Sequence, residues 1–249
     1  TAENSIENYT DYVDPKIGTG GHGHVFVGAN VPFGLVQLGP TSIPQEWDWC
    51  SGYHDSDSTV IGFSHTHLSG TGIGDLFDIT VMPVVGEVTY GRGREEDPSI
   101  GMWSYADRSR EVTRPGYYSV PLTRYGITAE MTATNRVGLH RYTFPQSEEA
   151  GIVINLMNGG CWDSPMDAQI ERVDPMTGQP DPNGQALRGY RYSRGWADDQ
   201  KVYFYAEFSK PFKDFKVLRG NIQIWEDEFK DMAAFAHAYF EAKPQEQIM

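Results

Sequence analysis

Cysteine is almost missing from this chain. Cys50 and Cys161 are its only two, too few for a disulfide-stapled scaffold or a four-cysteine zinc site. No apolar run approaches the roughly 20 residues that cross a bilayer as a helix. Positive charge is also short: 20 Lys and Arg stand against 34 Asp and Glu, a formal charge of −14. That balance opposes phosphate backbones and anionic lipid surfaces, so nucleic acid is excluded as an expected partner. The chain has no GxSxG, no GxxxxGK[ST] and no GxGxxG between a strand and a helix, which removes serine-hydrolase, P-loop and Rossmann chemistry. No charged segment followed by an apolar stretch opens the chain at Thr1.

What is present is punctuation. Glycine (27) and proline (15) are spread along 249 residues and separate short runs of alternating apolar and polar residues, the rhythm of an antiparallel β-sandwich. Ile127 to Thr134 alternates perfectly, and after Asn135 a second run from Val137 stops at Pro145, so the two read as a hairpin. Further strands are predicted at Val31 to Leu38, Val60 to His67, Asp78 to Val85, Tyr117 to Leu122, Gly151 to Leu156 and Lys201 to Phe208. Asp174 to Asn183, with three prolines and a glycine, reads as an exposed loop. Met232 to Phe240 fits helical and strand spacing equally. Gln247 to Met249 reads as a strand beginning, which implies a chain cut near the end of its domain.

Four of the seven histidines form two glycine-wrapped His-x-His pairs, GHGH at 21–24 and SHTHLSGTG at 64–72. On a strand, His65 and His67 would share a face and could hold one ion. The neighbours fit no known metal pattern, since Ser69 and Gly70 to Gly74 stand where carboxylates are needed. The competing reading is that the rings hydrogen-bond backbone or Ser/Thr groups and pin a glycine-rich loop. For His22 and His24 the alternative to function is a tight turn between two strands. The segment EWDWCSGYHDSD (46–57) interleaves Trp47, Trp49 and Tyr53 with Asp48, His54, Asp55 and Asp57. Broad apolar faces beside hydrogen-bonding groups suit sugar rings, although the same aspartates are ordinary turn residues. Glu95 to Asp97 reads as a solvated face.

Two long blocks, DPKIGTGGHGHVFVGANVPFGLVQLGP (14–40) and WDWCSGYHDSDSTVIGFSHTHLSGTGIGDLFDITVMP (47–83), resemble the N-terminal domain of glycoside hydrolase family 92, the calcium-dependent exo-acting α-mannosidases. The resemblance implies an all-β antiparallel sandwich over 1–249, partnered by a C-terminal (α/α)6 barrel absent from this chain. It implies hydrolysis of terminal mannose from glycans, expected at α-1,2 linkages, with inversion by two carboxylates about 6.5–9.5 Å apart. Those carboxylates and the protein ligands of the Ca2+ are expected in the barrel, leaving no catalytic or metal-binding residue here. The resemblance assigns Trp47 to substrate binding, places Trp49 at a position the family fills variably, and sets His22, His24 and His54 on loops that line or brace the site; with Asp48, read from its own chemistry, these are the expected substrate-binding residues. His65, His67, Ser69 and Asp75 are expected at the domain interface. Val25, Val27 and Phe77 depart from the family pattern and suggest a variant pocket rim. A periplasmic, cell-surface or secreted location is expected. Two rivals remain open at this level: a stand-alone carbohydrate-binding module using Trp47, Trp49 and Tyr53 as a platform, and a His-x-His metalloenzyme.

Overall fold

The computed structural model describes residues 8–74, 76–157, 163–219, 222–224 and 235–249. The alternating run becomes the strand Ile127–Ala133, with Ile127, Ala129, Met131 and Ala133 buried and the residues between them turned outward. It pairs antiparallel with Gly138–Phe144 across the 134–137 turn, as the hairpin pattern predicts. Val112–Arg114, Tyr117–Leu122 and Glu246–Ile248 complete a five-stranded sheet.

An eight-stranded sheet lies opposite, in the order Ala29–Asn30, Gln37–Thr41, Gly62–Ser64, Thr80–Val85, Ser147–Asn155, Phe235–Ala242, Asp214–Arg219 and Ile222–Ile224. Every pairing in both sheets is antiparallel. The sheets meet face to face: the ring of Phe63 lies 6.4 Å from that of Tyr118 and 6.3 Å from that of Tyr142. All three are buried with Met82, Val84, Val120 and Phe144 in one core, the arrangement of a β-sandwich. A three-stranded sheet, Ser164–Val173, Ala186–Arg194 and Gln200–Glu207, packs beside it, and Thr59–Val60 pairs with Ser104–Tyr105.

The ambiguous stretch is a strand from Phe235 to Ala242. It lies inside the eight-stranded sheet, and Phe235, Ala236, His237 and Ala238 are all buried. A strand covered on both faces loses its period of two, which is why periodicity could not choose. Met232 falls outside the described residues.

Two predicted strands are shorter than expected. Val31 to Leu38 is interrupted by a turn closed by Gly34 N–H donating to the Val31 carbonyl (3.0 Å), and the strand begins at Gln37. Val60 to His67 breaks at Ile61 and ends at Ser64, so His65 and His67 sit in a loop rather than on a strand. Cys50 is buried, and Cys161 lies outside the described residues. Among the described residues no helix is long and apolar enough to cross a membrane.

Candidate functional site

Three loops at one edge of the sandwich knit together around Trp47. The turn at 20–23 brings His22 and His24 up to Asp48, 26 and 24 residues away. His22 Nδ1 stands 2.7 Å and His24 Nε2 2.8 Å from the same carboxylate oxygen, Asp48 Oδ1. Among the described residues no hydrogen bond engages Oδ2. The His24 ring meets Trp47 edge-on at 4.4 Å, and the third loop closes the set: Trp47 Nε1–H donates to the Gly72 carbonyl at 2.8 Å, and Gly70 N–H donates to the His24 carbonyl. A Cβ at Gly72 would lie 2.9 Å from the indole, and its φ is +66°, so only glycine lets this loop approach the tryptophan without strain.

Trp47 itself is 54% exposed. Its indole N–H is anchored while part of the ring faces solvent, next to a carboxylate fixed by two imidazoles. The pair of hydrogen bonds holds the Asp48 carboxyl below its usual range, and Asp48 in turn raises the His22 imidazole above its ordinary value. This is a rigid donor–acceptor set beside an apolar face, chemistry that fits a neutral polyhydroxyl ligand.

The other expected contributors are placed differently. Trp49 is half-buried, stacked on His54 at 4.3 Å, with its N–H donating to Asp57 at 2.6 Å. Tyr53 is buried, its hydroxyl donating to Glu111 and the Arg108 guanidinium lying over its ring. An open platform of Trp47, Trp49 and Tyr53 is therefore not formed, and only Trp47 presents its ring. His54 is buried with Ser56 and the Gly21 carbonyl as partners; it braces the histidine loop from below.

His65 and His67 do not converge on a common point. His65 Nδ1–H donates to the Ile79 carbonyl (2.6 Å), so its Nε2 is the acceptor facing His140 Nε2 at 3.0 Å. His140 must then donate there and accept from the Tyr142 hydroxyl at Nδ1 (2.7 Å). This chain fixes the tautomers of both imidazoles and the direction of the Tyr142 hydroxyl. His67 Nδ1–H donates to the Gln37 carbonyl at 2.7 Å, and its ring lies between Phe26 and Phe77. Burial drives both imidazoles below their usual range, His67 to about 4. They were expected at a domain interface. Both rings are engaged within the chain: His65 Nε2 faces His140, and His67 Nε2 is buried without a hydrogen-bond partner among the described residues, while Ser69, Gly70 and Thr71 are the exposed residues of this loop. Asp75 lies outside the described residues.

The loop is held by a second device. Asp78, wholly buried, accepts from Arg191 Nη1 (2.6 Å), Gln200 (2.7 Å) and the Thr66 hydroxyl (2.7 Å), while its own N–H donates to Thr66 Oγ1. Arg191, also buried, reaches Asp163 and the Leu156 carbonyl as well. Leu76, Phe77 and Ile79 flank Asp78 with φ of +72°, +60° and +53°, conformations costing of order 1–3 kcal/mol each that persist where the surroundings dictate them. Nothing in the spacing pointed to Arg191, 113 residues from Asp78, or to His140 and Gln37.

Among the described residues the group of three or more metal-ligand types that converges is His22, His24 and Asp48. Its two nitrogens and one carboxylate do not fit calcium, which takes six to eight oxygens. Around a tetrahedral zinc the donors would stand about 3.3 Å apart; separations of 2.7 and 2.8 Å are those of hydrogen bonds.

A matching family model places the molecule among the domains of glycoside hydrolases. The chain belongs to glycosyl hydrolase family 92, matching its N-terminal domain over residues 12–249. The family GH92 α-mannosidase BT3965 from Bacteroides thetaiotaomicron, solved in complex with mannoimidazole, shares 35% identity and a TM-score of 0.86 over 97% of this chain. The inverting mannosidase BT2199 from the same organism, at 23% identity and a TM-score of 0.71, shares the fold. An uncharacterized secreted glycosidase from Arthroderma benhamiae is 31% identical over 144 residues, 55% of this chain and 17% of its own. The chain spans about a third of these solved structures, 32% of BT3965 and 31% of BT2199.

Proposed function

We propose that this chain forms one wall of the terminal-mannose pocket of an exo-acting, exported α-mannosidase. The wall carries Trp47 as the ring-stacking surface and Asp48 as the hydroxyl acceptor. A second domain, expected as an (α/α)6 barrel, supplies the acid, the base and the oxygen ligands of Ca2+. The observation that carries this reading is the half-exposed Trp47 beside a carboxylate whose Oδ1 is held by His22 and His24. A tryptophan that is only core would have no reason to be pinned by its N–H with its ring facing solvent.

Inversion and a preference for α-1,2 linkages follow the family resemblance. The description of the Arthroderma relative as secreted supports export. Calcium, when bound, would position sugar hydroxyls and stabilise developing charge. The part played by this chain is binding: Trp47 excludes water from one face of the ring, and Asp48 orients a hydroxyl.

The test is mannose release by the complete gene product from α-1,2-mannobiose. Trp47→Ala and Asp48→Asn are each expected to lower kcat/KM by about tenfold or more, while the 249-residue chain alone releases none. Full activity in both variants would overturn the assignment.

A further inference from the structure

One part of the surface remains unexplained by the pocket. The turn Val31–Gly34, closed by a 3.0 Å bond from Gly34 N–H to the Val31 carbonyl, carries Pro32 at its second position and Phe33 at its third. Phe33 has φ +61°. A turn with positive φ at the third position is of the type that calls for glycine or asparagine there. Here a phenylalanine takes that conformation and is fully exposed, the least sheltered large apolar side chain among the described residues. Neither strain nor exposure benefits the isolated domain.

Phe33 is not alone. Leu35 is exposed, and its N–H and that of Val36 both donate to the Asn135 carbonyl. That bond lays the turn against a second segment carrying exposed Val137 and Leu139. Thr134, Asn135 and Arg136 supply a polar rim. An apolar cluster rimmed by polar residues marks a contact surface. The same segment runs directly into Gln37, whose N–H donates to the His65 carbonyl and whose own carbonyl holds His67. The cluster thus adjoins the loops that frame Trp47.

We propose that Phe33, Leu35, Val137 and Leu139 form the knob that docks the larger remaining part of the enzyme, presenting an apolar socket to receive it. The inference rests on the reading of this chain as one domain of a longer enzyme. Relatives of which it covers 31–32% carry about twice as much further polypeptide, and a composite pocket at Trp47 needs that polypeptide on this side. Phe33 is the anchor, being the one aromatic of the cluster and its most exposed member.

Hydroxyl-radical footprinting read by mass spectrometry tests this on the complete gene product and on the 249-residue chain. Phe33 and Leu35 are expected to oxidise in the chain alone as fast as in urea. In the complete product they should be protected at every protein concentration. Phe33→Gly removes the strain, so it should leave the melting temperature of the chain unchanged or raised, yet it should lose protection at Leu35 and Val137 in the complete product. Protection that grows with concentration would mean a second copy covers the knob, and would overturn the proposal. So would oxidation of Phe33 in the complete product at the unfolded rate, or a gene product no longer than this chain. Mannose release is read separately: protection without release sinks the mannosidase reading alone, and release without protection sinks the knob alone.

Discussion

Asp48 shows how one residue sets the state of its neighbours. Its Oδ1 accepts from two imidazoles, and the bond to His22 favours the protonated ring. His22 therefore keeps its proton to higher pH than an ordinary histidine, and the attraction is present below the unfolded pKa and lost as pH rises through the folded one. NMR titration is expected to place the His22 midpoint above about 6.5 and to return it there in Asp48→Asn. An unchanged midpoint in that variant would remove Asp48 as the cause. That Trp47 and Asp48 lie together was legible in the sequence because they are adjacent. The sharing of Asp48 by both members of GHGH was not, because spacing along the chain does not say which loops meet. The same limit made His65 and His67 look like a metal pair: with both placed on a strand their rings share a face, and in the actual loop each finds a different carbonyl.

At the level of elements, legible strands are of two kinds: those whose residues alternate between more and less sheltered, and short apolar runs such as Gly151 to Leu156 that are buried throughout. Ile127–Ala133 and Gln200–Glu207 alternate in sequence and in burial. Ala186–Arg194 was missed because its inward positions include Gly189 and the buried Arg191, and Ser164–Val173 because only Ala168, Ile170 and Val173 of its ten residues are buried apolar positions. Arg191 ties that small sheet to the 65–79 loop. Arg191→Met leaves Asp78 and Asp163 buried without their cation, a loss of about 3–5 kcal/mol, to be read as a fall in the urea midpoint with unchanged slope. Asp163, whose carboxyl burial already pushes up, is expected to take up a proton first. Gly138 sits under the histidine chain: a Cβ there would meet His65 Cδ2 at 2.9 Å and Leu38 Cδ2 at 3.1 Å. Gly138→Ala should cost about 1–3 kcal/mol and shift the ring resonances of His65 and His140. A neutral result would mean the rings have room that the packing does not show.

Over the whole molecule, buried neutral histidines make folding sensitive to acid. Burial lowers His65, His67, His140 and His237, His67 to about 4 and His237 to about 3. In the unfolded chain each takes a proton near pH 6.5. The unfolded state then binds more protons than the native one between about pH 6.5 and 4, so stability is full above that window and falls as pH drops through it. The expected loss by pH 4 is of order a few kcal/mol, measurable as a melting temperature that declines across this range. A flat profile there would show that these rings are reached by water in solution.

The order of the eight-stranded sheet has a consequence for how the molecule is made. Ser147–Asn155 pairs on one side with Thr80–Val85 and on the other with Phe235–Ala242, and Glu246–Ile248 finishes the edge of the opposite sheet. Synthesis proceeds at about 5–20 residues per second, so for several seconds after Asn155 leaves the ribosome its far edge has no partner. Both sheets wait for the same late stretch of chain, one for an interior strand and the other for an edge strand. Until it arrives, the nascent sandwich displays an apolar strand edge of the kind that aggregates, and the interval between residues 155 and 235 is when a chaperone would matter most.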